Sequence, residues 1–152
     1  MLDKLIFREA TLNDLKVIVN LISDDILGKD REDISKIDNY KKAFKQIKNS
    51  SNQKLMVVEF ENNVIGCCEI SILHSLTFNG STRLQVEAVH IYSKYQGIGV
   101  GKWLFAQISS LAKNKQCKII QLTTNKARVK AYKFYKNLGF IDSHLGMKLY
   151  LD

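Results

Sequence analysis

The chain has 152 residues but no proline, only eight glycines and only three cysteines. No proline-rich or low-complexity tract divides it, so one domain spanning residues 1–152 is expected. Cys67 and Cys68 are adjacent and point to opposite faces of a strand, and Cys117 stands alone. That pattern offers neither a disulfide framework nor metal-ligand spacing. His74, His90 and His144 have no ligand spacing either, so no metal is assigned. No apolar run approaches the roughly 20 residues of a membrane span. The opening "MLDKLIFREA" interrupts its apolar stretch with charges and lacks a signal-peptide core, so a reduced, cytoplasmic protein is expected.

Acid is also missing from a long stretch. Residues 1–87 hold twelve basic and thirteen acidic side chains, whereas 88–141 hold ten basic ones and no Asp or Glu. The net charge of +8 therefore arises in the second half, which suits a polyanionic partner such as nucleic acid or a phosphorylated cofactor. Lysines that only solvate helix surfaces are the plainer account of most of these charges.

Hydrophobic periodicity orders the elements. "KLIFREA" reads as a strand, and "TLNDLKVIVNLISDDIL" as a helix capped by Thr11 with Asp14 three residues on. "DNYKKAFKQIKN" reads as a basic amphipathic helix. "KLMVVEF", "ENN" and "VIGCCEISIL" form a hairpin, and "RLQVEAVHI" is another strand. Then come a helix over about 99–114, the strand "KIIQLTT", a helix over about 127–138, and a terminal strand pair, "GFIDS" and "GMKLYL". The order β-α-α-β-β-β-α-β-α-β-β predicts an α/β fold, with a mixed, mostly antiparallel sheet flanked by helices.

Three of the eight glycines fall in "QGIGVG", residues 96–101, between a strand and a helix. A glycine-rich turn at a helix N-terminus exposes unpaired N–H groups and the positive end of the dipole, which suits phosphate. A P-loop fails here, because Gln96 stands at the first glycine position and Trp103 replaces the magnesium-binding hydroxyl. A dinucleotide fingerprint fails too: Lys102 occupies the third glycine position and no acid follows until Asp142. The pattern [Gln/Arg]-x-x-Gly-x-[Gly/Ala] is met in full by Gln96, Gly99 and Gly101.

That pattern and "RVKAYKFYKNLGF" downstream resemble the two signatures of the GCN5-related N-acetyltransferases (the GNAT superfamily), at the family's separation. The resemblance is most specific over Val86–Phe140 and extends in element order over nearly the whole chain. It implies acetyl-CoA as cosubstrate, with no metal, and transfer of its acetyl group to a primary amine that attacks directly. Gln96, Gly97, Ile98, Gly99, Val100, Gly101 and Lys102 would form the pyrophosphate turn. Backbone groups of Val89, His90 and Ile91 would pair with pantetheine. The family often has asparagine where Arg128 stands, and Arg128 would meet a cofactor phosphate or the substrate. The acceptor would be a small-molecule or peptide amine, with no membrane partner and with nucleic acid disfavoured; a homodimer is compatible with the family.

Two side chains carry the expected chemistry. Alternation puts Arg83, Gln85, Glu87, Val89 and Ile91 on one face of their strand. In the related enzymes a glutamate nine residues before the glutamine acts as base through water, which points to Glu87. The alternative is a structural carboxylate paired with Arg83 or Lys54. Tyr135 lies on the apolar stripe of its helix and matches the tyrosine that protonates the leaving thiolate; a core tyrosine is its alternative. Acids near the exit of the first helix, Asp24, Asp25, Asp30, Glu32 and Asp33, would suit a cationic amine or simply form a solvated loop.

Overall fold

A computed structural model describes residues 1–25 and 27–151. The chain divides into two compact units, Met1–Gln121 and Leu122–Asp152.

The first unit is built on a five-stranded sheet in the order β1-β2-β3-β4-β5. The strands are β1 (Leu5–Glu9), β2 (Gln53–Phe60), β3 (Asn63–Leu73), β4 (Arg83–Ile91) and β5 (Ile119–Leu122). The first four pair antiparallel. Glu61 and Asn62 turn the β2–β3 hairpin with φ of 48° and 63°, the left-handed pair that a two-residue turn needs to match strand twist. Between β4 and β5 the Lys118 amide donates to the Thr82 carbonyl at 2.9 Å, and Gln121 donates to Gln85 at 2.6 Å. Both strands advance by three residues in the same sense, so this pair is parallel and the sheet is mixed. A parallel pair needs a crossover, and α4 (Val100–Asn114) supplies it.

Alternation in the strands decides what each face buries. Leu55, Val57 and Cys67 point to one face, where they pack with Ile18 and Leu21 of α1 (Leu15–Ser23) and with Phe44 and Ile47 of α2 (Ile37–Asn49). Met56, Val58, Cys68, Ile70, Leu84 and Val86 take the alternate positions and are also buried. Helix α4, which contacts β4, buries Val100, Leu104, Phe105, Ile108 and Ala112 at helical spacing. Cys67 and Cys68 thus serve opposite layers, as the sequence predicts. Burial pushes the Cys67 thiol up to about 12 and the Cys68 thiol above the ordinary range, which disfavours the thiolate at both.

The first predicted helix is shorter than its pattern. A single 3-10 turn, Leu12–Asp14, precedes α1, which ends at Ser23. Asp14 accepts from the Thr11 amide at 2.7 Å and the Thr11 hydroxyl at 3.0 Å, which closes the expected capping contact. Part of the acidic stretch lies outside the described residues, at Ile26. Between β3 and β4, the short turn α3 (Thr77–Gly80) holds Phe78 and Asn79 in left-handed conformation.

The second unit carries α5 (Val129–Asn137). It stops in a Schellman arrangement: the Gly139 amide donates to the Lys136 carbonyl at 3.0 Å and the Phe140 amide to the Tyr135 carbonyl at 3.1 Å. Gly139 has φ of +95°, which explains glycine at that place. Phe140 packs on Tyr135 at a ring distance of 5.8 Å, the apolar contact that accompanies this cap. The expected terminal strands "GFIDS" and "GMKLYL" are not formed; no strand follows α5 among the described residues. Asp142 is instead tied back onto α5, accepting from the Tyr132 hydroxyl at 2.7 Å and from Lys136 at 2.8 Å.

Candidate functional site

The glycine turn leaves β4 through a 3-10 turn at Ser93–Tyr95 and enters α4 at Val100. Gly97 and Gly99 have φ of +76° and +96°. Side chains pay for that conformation, so glycine is required on backbone grounds alone. Packing does not explain Gly97, because a Cβ added there would meet nothing within 4 Å. At Gly99 only the Leu2 side chain lies near, at 3.3 Å. Gln96 folds back and donates to the Ile91 carbonyl at 2.8 Å, bracing the turn against the end of β4.

The consequence is a run of unused donors. The Gln96 amide is taken by the Ser93 carbonyl and the Trp103 amide by the Gly99 carbonyl. Between them the amides of Gly97, Ile98, Gly99, Val100, Gly101 and Lys102 have no hydrogen-bond acceptor among the described residues. Four free amides are expected of any helix start, and the turn with its two left-handed glycines adds the amides of Gly97 and Ile98 to that run. Helix α4 has no acid in its first turn and no side-chain cap, so nothing among the described residues satisfies these donors. Open space over glycine, bare amides, the dipole and Lys102 together fit an anion of phosphate type.

Strand β4 bends where the chemistry is expected. Cys67 of β3 faces His90, and Glu69 faces Glu87, so two residues on β3 span three on β4. The extra residue is a bulge at Ala88, held at φ of +49°. This corrects the predicted alternation: beyond the bulge the faces exchange, so Glu87 shares its face with His90 rather than with Val89 and Ile91. A bulge leaves no mark in a two-residue periodicity, because it costs one residue and only shifts the phase. Strand β5 pairs with the first part of β4, up to Gln85, and the bulged part of β4 extends past it.

Glu87 is exposed, and its expected structural partners are occupied elsewhere or absent. Lys54 donates to Glu9 at 2.7 Å, and Arg83 makes no ion pair with it. Opposite Glu87 stands Glu69, which no sequence motif singles out. Burial first, then the charge of Glu87, pushes the Glu69 carboxyl above the usual carboxylate range. The cross-strand register was the signal that could have found it, and register is not legible before the bulge is known.

In the second unit, Tyr135 is half-buried between Phe134, at 5.3 Å, and Phe140. Arg128 occupies the N-cap position of α5, its amide donating to the Asn125 carbonyl at 2.9 Å. Asn125 also accepts from the Ala127 amide at 2.9 Å, so the turn into α5 is set by an asparagine three residues ahead of Arg128.

Comparison with known proteins agrees with this geometry. A protein from Bacillus halodurans C-125, described as a transcriptional regulator, is 38% identical, with a TM-score of 0.92 and coverage of 97% of this chain and 99% of that one. Glucosamine-6-phosphate N-acetyltransferase from Arabidopsis thaliana shares the fold at 17% identity and a TM-score of 0.75, covering 97% of this chain and 99% of its own. A GNAT family acetyltransferase from Staphylococcus aureus shares it at 21% and 0.76, with the same coverage. The sequence pattern of the Acetyltransferase (GNAT) family matches residues 21–140, which hold the glycine turn, Glu69, Glu87 and Tyr135. The chain belongs to the Acetyltransferase (GNAT) family.

Proposed function

We propose that the chain is a single N-acetyltransferase domain, residues 1–152, acting in the cytoplasm on a primary amine with acetyl-CoA as cosubstrate. The observation that carries this reading is the run of six amides from Gly97 to Lys102 without an acceptor among the described residues, with open space at Gly97. They would take the pyrophosphate, with Gln96 bracing the turn from behind. The bulged part of β4, Val89 to Ile91, would offer backbone groups to the pantetheine arm, and Arg128 a positive charge to a phosphate or to the acceptor. When bound, acetyl-CoA supplies the thioester that the amine attacks.

An alkylammonium must lose a proton before its nitrogen can attack. Glu87, exposed and without a cation, is proposed to take it through water. Tyr135 is proposed to protonate the departing thiolate, its ring orientation fixed by Phe134 and Phe140. The test is a calorimetric titration with acetyl-CoA at two salt concentrations, followed by thiol release over a panel of spermidine, kanamycin and a lysine peptide. One-to-one binding and turnover are expected; absence of binding at both salts removes the enzyme reading.

One observation favours a second reading. The 38%-identical protein is described as a transcriptional regulator, and residues 88–141 here are basic without an acid. Binding to duplex DNA that falls steeply with salt and ignores coenzyme A would favour a nucleic-acid role.

A further inference from the structure

Glu69 and Glu87 stand directly opposite each other on β3 and β4. Directly opposite residues have Cβ atoms about 5 Å apart, and like charges there are unfavourable. Neither carboxylate makes a hydrogen bond or ion pair among the described residues, in a chain with 23 lysines and arginines. Glu69 is the inner member. It lines a cavity of about 50 Å³ between α1, α2 and the sheet, together with Leu15, Ile22, Tyr40, Ile47 and Leu55. No lysine or arginine lines that cavity.

The titratable groups facing Glu69 are Glu87 and His90 of β4, Cys67 of its own strand and Tyr40 of α2; His90 stands opposite Cys67 on this face. Glu87 approaches from β4. The Cys67 thiol, on the same strand and face, points to the Ala88 carbonyl at 3.7 Å and stays neutral. The Tyr40 hydroxyl, from α2, donates to Glu32 at 2.8 Å and accepts from the Asp33 amide at 3.1 Å, so it is engaged elsewhere. The lining from α1 is apolar. Among the described residues no lysine or arginine pairs with Glu69.

Acetyl transfer supplies a use for a second carboxylate, on the reading proposed above. An alkylammonium R–NH3+ loses two protons in becoming R–NH–acetyl: one before the N–C bond forms and one after. As the C–S bond breaks, the sulfur takes one proton from Tyr135, which is restored from the second proton, so one proton is released per turnover. We propose that Glu69 is a second carboxylate acceptor of this site, receiving through water the proton that Glu87 takes from the ammonium and releasing it to solvent, which leaves Glu87 ionised for the next ammonium. Glu69 is therefore a positioning and relay residue that acts through Glu87. Glu87 meets Glu69 in the regular register ahead of the bulge, and the bulge at Ala88 re-aims the residues that follow.

The test is the pH dependence of kcat/KM, with acetyl-CoA and whichever of spermidine, kanamycin or the lysine peptide turns over, in wild type, Glu69→Gln, Glu69→Asp and Glu87→Gln. Carbon-13 carboxyl titration of the free protein runs alongside. Glu69→Gln is expected to lower kcat about tenfold, leave acetyl-CoA affinity within about twofold and change the acid-side limb, with Glu69→Asp recovering part of the rate. In Glu87→Gln the Glu69 carboxyl signal should titrate at lower pH, because its like-charged neighbour is gone. A Glu69→Gln profile that superimposes on wild type in shape, or a Glu69 signal indifferent to Glu87→Gln, overturns the relay and leaves acetyl transfer intact. Failure of the wild type to bind acetyl-CoA overturns the parent reading and the relay with it.

Discussion

Two groups of charged side chains on the same sheet are treated in opposite ways. At the β1 edge, Arg8 holds Asp14 through two hydrogen bonds of 2.7 and 3.1 Å and Glu59 through one of 2.7 Å. Nearby, Glu9 accepts from both Lys48 and Lys54. Each of these carboxylates has a cation, and Asp14 and Glu9 are held below the usual carboxylate range, in each case first by the side-chain hydrogen bond from that cation. On β3 and β4 the arrangement is inverted: two carboxylates face each other, neither is paired with a lysine or arginine among the described residues, and the inner one is pushed up. The first group contributes stability. The second costs stability, and costs of this kind cluster at functional sites.

The sharpest way to break the comparison is Glu87→Gln. If the pair serves chemistry, turnover should fall about a hundredfold or more while acetyl-CoA affinity stays within about twofold, read by thiol release and calorimetry. Full activity would make the pair a structural accident. A second break adds a carboxylate where the chain has left donors for an anion. Gly99→Asp should weaken acetyl-CoA binding at least about tenfold, both through its charge and through a side chain at φ of +96°. Unchanged affinity in a folded Gly99→Asp protein would remove the phosphate role of the turn.

The remaining two predictions concern stability and have opposite signs. Asp14→Ala should cost about 1–2 kcal/mol in urea unfolding, the lower range for a lost charge-assisted contact because Arg8 reaches solvent. Since Asp14 is depressed in the folded state, its contribution is complete above the unfolded carboxylate range. It should fade as pH falls through the depressed value, so wild type and variant converge in acid. Glu69→Gln should raise stability at pH 7 by at most about 1 kcal/mol. Glu69 is raised in the folded state, so its penalty is absent below the unfolded range and grows as pH rises through the raised value. The gain from Glu69→Gln should therefore vanish in acid. Loss of stability in Glu69→Gln at neutral pH would place Glu69 with the structural group.

Much of the molecule was legible because the signals are local. Thr11 and Asp14, the turn at Glu61-Asn62, the two glycines that need positive φ, and the Tyr135–Gly139–Phe140 ending of α5 are each set by neighbours within a few residues. Their identities follow from backbone sterics and short-range hydrogen bonds, so type and position are written in the chain. The apolar periods of α1, α2 and α4 were legible for the same reason. The phase of β4 was not legible, because the bulge at Ala88 is set by its pairing with β3. The strands expected after α5 are not formed among the described residues, where Asp142 accepts from Tyr132 and Lys136.

The sequence by itself determined the element order up to α5, the family, the glycine turn and the candidates Glu87 and Tyr135, since all of these rest on spacing along one stretch of chain. Tertiary structure alone decided the phase of β4, the cations given to Glu9 and Asp14, and the meeting of Glu69 with Glu87. Those depend on register between strands, and one residue of bulge at Ala88 changes every pairing beyond it.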